Sequence, residues 1–249
     1  MNQSPQKNRQ RWKGEITMKS IYLSPSTQEN NIGAGDYGTE EKRMNQLTDL
    51  IEPLLKEYGL KVYRNRPEMT LKQVVDDSNA KKPDVHLAIH SNAANKKARG
   101  AEVFCHKFGG EGEKLARSVY TEVSAITPTA DRGVKQGYDF YGPGKHLYEL
   151  AYTKVPAALV EVAFHDNEED ARWIIENMDN LARAIVRGVL NYFGIAEKPL
   201  PDPVDEYKKI IQERCGFTYP EGVWEVINKH PYALALYKKW ADSYVKTTL

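Results

Sequence analysis

The stretch Ala157–Phe164, AALVEVAF, decides the fold. Every residue in it except Glu161 is apolar, and the run does not alternate with polar positions. Such a pattern suits a strand covered on both faces, and strands of that kind belong to sheets sandwiched between helices. Upstream, Ser20–Leu23 (SIYL), Leu60–Tyr63, Asp84–His90 (DVHLAIH) and Ala101–His106 (AEVFCH) read as further strands. Helical spacing fills the intervals. Thr39 caps a helix whose apolar positions are Met44, Leu47, Leu50, Ile51, Leu54 and Leu55, and Gly59 stops it. Thr70 caps a second helix, Glu111–Ala125 forms a third, Asn167 opens a fourth, and the last runs from about Asp179 to Phe193. Strands alternating with helical crossovers predict an α/β domain: a single twisted, mostly parallel or mixed sheet of about six strands flanked by helices.

Composition bounds what this domain does. The chain has 249 residues, enough for one domain and a small appendage. Its formal net charge of +1 lacks the basic excess expected of a nucleic-acid binder. Cys105 and Cys215 are too few and too far apart for a disulfide framework or a cysteine zinc site. No run approaches the roughly 20 apolar residues of a membrane helix, which predicts no membrane insertion. Residues 1–17 are polar and basic without an apolar core, and read as a disordered leader rather than a secretory signal. The expected domain is 18–195. Three prolines mark 196–204 as a linker, and 205–249 reads as a small C-terminal helical segment rich in aromatic residues.

Three residues invite chemistry. His90 ends an apolar strand and opens a Ser-Asn-Ala turn, and Glu41 lies in the first turn of a helix. Glu161 is a carboxylate inside an apolar strand, which costs several kcal/mol unless a metal, a cation or a proton accompanies it. In open α/β sheets ligands gather at the carboxyl ends of strands, where all three can converge. Taken singly, each has a plainer reading: a hydrogen-bonded strand-end histidine, a glutamate complementing the helix dipole, a buried protonated acid. His86 shares strand parity with His90 but sits about 13 Å away along the strand, too far to hold the same ion.

The chain from Lys19 to about Ile195 resembles the catalytic domain of the zinc-dependent N-acetylmuramoyl-L-alanine amidases, the group of autolysins and phage endolysins. Four blocks carry the resemblance: Gly38-Thr39-Glu40-Glu41-Lys42, Ile89-His90-Ser91-Asn92-Ala93, Arg132-Gly133-Val134-Lys135, and Pro156 to Asn167. The resemblance implies one Zn²⁺ ion, with Glu41 and His90 as ligands and Glu161 as the general base. It implies peptidoglycan as substrate, cut between N-acetylmuramic acid and L-alanine, with Asn92 and Arg132 binding substrate or supporting the site. The family's first strand runs into a turn whose histidine supplies another ligand; here that position is Thr27, a poor zinc ligand. Gln28 is the tentative replacement, with Glu29 and His165 as alternatives. The implied enzyme is made in the cytoplasm and reaches the wall after lysis or through a pore. The competing expectation is an inactive amidase fold that binds peptidoglycan without cutting it, and Fe or Mn are open alternatives to zinc.

Overall fold

A computed structural model describes residues 18–129 and 132–197, together with isolated helical positions between 208 and 239. The chain divides into two compact units between Ile195 and Ala196. In the first unit the strands are β1 (Ser20–Pro25), β2 (Lys61–Arg64), β3 (Val85–Asn92), β4 (Glu102–Cys105), β5 (Val134–Gln136) and β6 (Ala157–Phe164). The helices are α1 (Glu40–Glu57), α2 (Leu71–Lys81), α3 (Glu111–Ser124), α4 (Tyr148–Tyr152), α5 (Glu168–Glu176) and α6 (Met178–Phe193). The expected leader at 1–17 and most of 198–249 lie outside the described residues.

The sheet order is β2-β1-β3-β6-β4-β5. The first four of these strands run parallel, while β4 is antiparallel to β6 and parallel to β5. This is the mixed, six-stranded α/β architecture that the sequence predicts. Strand β5, Val134–Gln136, and the short helix α4 fall where the sequence reads as loop.

Strand alternation gives the sheet two unlike faces. On one, Ile21, Leu23, Val85, Leu87, Ile89, Val103, Cys105, Ala158 and Val160 pack beneath α1, α3 and α6 in the main core. The other carries Tyr22 and Ser24 of β1, His86, Ala88 and His90 of β3, Leu159 and Glu161 of β6, and Glu102 and Phe104 of β4, as their registers require. A small apolar cluster of Ala88, Phe104, Leu150, Ala157 and Leu159 packs on that side. Between His90 and Asn92 the β3–β6 register slips, since the partners move from Glu161 to Phe164. The bulge follows Glu161 directly, and it lets Val162 and Ala163 both enter the main core.

Helix α1 begins where predicted. The Thr39 hydroxyl accepts the Lys42 N–H at 3.2 Å, and Met44, Leu47, Ile51 and Leu55 are buried. Counting back one turn from Met44 gives Glu40, which is buried on that same stripe. Glu41 is turned about 100° away and is only partly buried.

Candidate active site

His90 and Glu161 are register partners on adjacent parallel strands, and Glu102 pairs with Glu161 from the other side. Strand spacing of about 4.8 Å therefore lines up His90, Glu161 and Glu102 across one face of the sheet. The α1 carboxylate that joins this row is Glu40, not Glu41: Glu40 Oε1 lies 2.7 Å from His90 Nδ1. Glu41, the expected metal ligand of α1, makes no side-chain hydrogen bond or ion pair among the described residues. The cause is helical phase, because only the first residue of α1 continues the buried stripe.

Glu40 is 1% exposed and fully engaged. Its Oε1 also accepts the Ser91 N–H at 3.4 Å, and its Oε2 accepts from Asn31 Nδ2 at 2.7 Å. On the far side of the His90 ring stands a residue that the motifs do not mark. Glu149 of α4 places Oε2 3.9 Å from His90 Nε2, and its Oε1 accepts from His86 Nε2 at 2.8 Å. The His86 Nδ1 in turn bonds the Ser78 hydroxyl at 2.9 Å, and its ring stacks on Tyr22. His86 and His90 thus reach one carboxylate from opposite ends, although they are too far apart along the strand to share an ion directly.

The charges follow from this packing. Burial opposes a charge on His90, but Glu40 first, then Glu161 and Glu149, override it and raise its pKa to about 9. Burial pushes Glu161 up to about 8; His90 counteracts, while Glu40 and Glu102 add to the rise. Glu40 and Glu149 are both held below the usual carboxylate range despite burial, by His90 and His86 respectively. Glu161 Oε2 is inaccessible to solvent and has no hydrogen-bond partner among the described residues.

Asn92 and Arg132 meet at Glu102. Asn92 Nδ2 donates to Glu102 Oε1 at 2.6 Å, Arg132 Nε donates to Oε2 at 2.9 Å, and Lys135 pairs with the same Oε2. They therefore fix the carboxylate beside Glu161. His165, an alternative third ligand, is fully buried with both nitrogens engaged, Nδ1 with the Ser91 hydroxyl at 2.8 Å and Nε2 with Asn31 Oδ1 at 3.1 Å. Gln28 and Glu29 are exposed on the wall of an open cleft of about 760 Å³ lined by Thr27–Asn31 and Pro67–Thr70. None of these three makes a side-chain hydrogen bond or ion pair with His90, Glu40 or Glu161 among the described residues.

The donor set fits a divalent cation on two observations. Three carboxylates, Glu40, Glu149 and Glu161, act on His90, whereas the nearby fixed cations Arg132 and Lys135 both engage Glu102. One oxygen of that set, Glu161 Oε2, is buried and unpartnered. Among the described residues, no three His, Cys, Asp or Glu side chains stand as a finished cage, so the ion would have to draw its donors in from their present positions.

At the carboxyl end of this α/β sheet a histidine is flanked by buried glutamates, in the place where sheets of this kind bind their ligands. The family model described as N-acetylmuramoyl-L-alanine amidase matches residues 21–191. The chain belongs to that family. It is 26% identical over 190 residues to the N-acetylmuramoyl-L-alanine amidase LytC of Bacillus subtilis, covering 73% of this chain and 37% of LytC. It is also 26% identical over 184 residues to the probable cell wall amidase LytH of Staphylococcus saprophyticus, covering 71% of this chain and 59% of LytH. In both cases the match spans less than two thirds of the relative. Among solved structures, the N-acetylmuramoyl-L-alanine amidase from Clostridium difficile 630 superposes with a TM-score of 0.62 at 25% identity, covering 71% of this chain and 97% of the other. The catalytic domain of CwlV from Bacillus (Paenibacillus) polymyxa gives 0.64 at 20% identity, covering 72% and 100%. These superpositions match the mixed six-stranded sheet and its flanking helices.

Proposed function

We propose that this chain hydrolyses the amide bond between N-acetylmuramic acid and L-alanine in peptidoglycan, with zinc held at His90 by one of its two flanking carboxylates and Glu161 as the acid–base group. The observation that carries this reading is Glu161: a strand carboxylate with a buried, unpartnered oxygen, in register with His90. When bound, zinc supplies the Lewis acidity that polarises a scissile carbonyl and makes water nucleophilic near neutral pH. Glu161 takes the proton of the attacking water and hands it to the leaving L-alanine nitrogen. Burial raises the proton affinity of Glu161, which suits a group that accepts a proton and passes it on. Glu102, clamped by Asn92, Arg132 and Lys135, keeps a like charge beside Glu161 and helps hold its proton affinity up. Glu40 fixes one edge of the His90 ring. The cleft beside Thr27–Asn31 offers a polar wall to the substrate.

A second reading, a peptidoglycan binder that has lost hydrolysis, is favoured by Thr27, which stands where the family has a histidine. Mass analysis of muropeptides separates the two. The amidase yields peptides with a free L-alanine amino terminus and glycans with a free lactyl carboxylate, and a chelator or Glu161→Ala stops their formation. Intact muropeptides retained by folded, zinc-supplied protein would establish the binder. No helix among the described residues is long and apolar enough to cross a membrane. Arrival at the wall after lysis or through a pore completes the proposal.

A further inference from the structure

After β5 the chain closes on itself where the Leu147 N–H donates to the Gly137 carbonyl at 2.9 Å, which makes residues 137–147 an arch. Of the nine exposed large hydrophobic side chains among the described residues, five lie between Tyr138 and Tyr152, on this arch and on α4. We infer that Phe140 and Tyr141 form a platform for the sugar rings of the glycan strand. The muramic acid side of the scissile amide then extends toward β4 and β5, and the peptide side toward the cleft at Thr27–Asn31.

The platform is continuous with the reacting row. Lys135 pairs with Glu102 beside Glu161, and its Nζ lies 5.9 Å from the centre of the Phe104 ring. Phe140 meets Phe104 edge to face at 5.2 Å, and Tyr141 meets Phe140 in the same way at 4.9 Å. An unbroken line of contacts thus leads from the carboxylates to the arch. The cleft lined by Thr27–Asn31 and Pro67–Thr70 is built on the loops after β1 and β2, which the sheet order puts on the opposite side of His90 and Glu161.

The open ring faces point to the ligand. Tyr22 stacks on His86 and Tyr37 on His165, while Tyr138 is engaged by Lys107, 3.6 Å from its ring centre, and by a stacked His146. Phe140 and Tyr141, 47% and 66% exposed, have neither a parallel ring nor a cation over them among the described residues. From Gly137 to His146 there is no Ile, Leu, Met or Val, so the exposed apolar surface of the arch is ring surface. A pyranose carries C–H bonds on its faces and hydroxyls around its rim, and it suits aromatic rings with polar tips, as in Tyr. The turn is also set in advance: Tyr141 N–H donates to Lys145 O at 3.0 Å, Gly142 N–H to Asp139 O at 2.9 Å, and Gly144 N–H to Asp139 Oδ1 at 2.7 Å. Rings held this way lose little freedom on binding.

This inference rests on the peptidoglycan reading, and a binding experiment tests it without requiring turnover. The probe is a peptide-free tetrasaccharide of alternating N-acetylglucosamine and N-acetylmuramic acid, titrated calorimetrically into the full-length chain. Wild type should bind it. Tyr141→Ala and Phe140→Ala should each weaken binding by about tenfold, the scale of one aromatic contact, while Tyr141→Phe and Phe140→Tyr stay within about twofold. Circular dichroism should show all four folded, and their affinity for free stem peptide should not move. Folded alanine variants with wild-type affinity for the tetrasaccharide overturn the inference; altered sedimentation in them would then mark the arch as a contact between copies of the chain. An equal loss of stem-peptide affinity overturns the assignment of sides. Wild type that does not bind the tetrasaccharide overturns the platform whether or not hydrolysis is seen. Tetrasaccharide binding by a chain that releases no L-alanine amino termini keeps the platform and overturns hydrolysis alone.

Discussion

The two faces of the sheet are built from the same strands by opposite rules. Beneath α1, α3 and α6 the strands present a continuous apolar core, and helix approach is close: a Cβ added at Gly188 would stand 2.6 Å from the Val119 Cα. Beneath α2 and α4, the same strands present His86, His90, Glu161 and Glu102 around a small apolar cluster. One face supplies the stability that lets the other hold buried carboxylates, each of which costs free energy unless paired. The lesson is a division of labour by strand parity, with alternate residues of a strand serving packing and chemistry.

Substitutions on the two faces should therefore fail in different currencies. The largest expected effect is on catalysis: Glu161→Gln should lower kcat by about 10²–10⁴-fold, the usual contribution of a general base, without loss of folding. Steady-state kinetics together with thermal melts check this; a kcat within tenfold of wild type would remove Glu161 from the chemistry. On the packed face, Leu47→Ala should cost about 2–5 kcal/mol in denaturant unfolding while leaving kcat per folded molecule unchanged. A proportional fall in kcat at full folding would blur the division.

The third prediction concerns pH. In the metal-free chain Glu161 has a folded-state pKa of about 8 against an ordinary 4.5, so the folded state binds the extra proton between those values. Its contribution is intact below about pH 4.5 and is lost as pH rises toward 8. His90, raised from 6.5 to about 9, acts in the same direction over its own window. Glu161→Gln should thus match wild-type stability near pH 4 and exceed it increasingly up to pH 8, as melting temperatures across that range would show. A constant difference would contradict the shift. The smallest effect belongs to the residues that the fold turns away. Glu41→Gln and Gln28→Ala should each change zinc affinity by less than about threefold.

These contrasts also show what the sequence made legible. The unbroken apolar run around Glu161 announced a central strand, and the carboxylate within it announced a site. Glu102 sends the same signal inside AEVFCH, yet it belongs to no quoted motif and passes unnoticed. The burial of Glu40 was also within reach, because the apolar spacing of α1 extended backward from Met44 lands on it. Glu149 was not. It lies on a five-residue helix in a Gly- and Tyr-rich stretch with no period to read, and it meets His86 and His90 only through the tertiary packing of α4 on the sheet. The third-ligand candidates Gln28, Glu29 and His165 rest on nearness in sequence to the motifs. The first two face an open cleft, and the third is held in a buried network with Ser91 and Asn31.

The most direct test follows new amino termini released from purified peptidoglycan by the metal-stripped chain as zinc is added back. The account predicts no release without metal, release of L-alanine amino termini that saturates near one zinc per chain, and none from zinc-supplied Glu161→Gln. Folded, zinc-loaded wild type that adheres to the wall and frees no amino termini would contradict it.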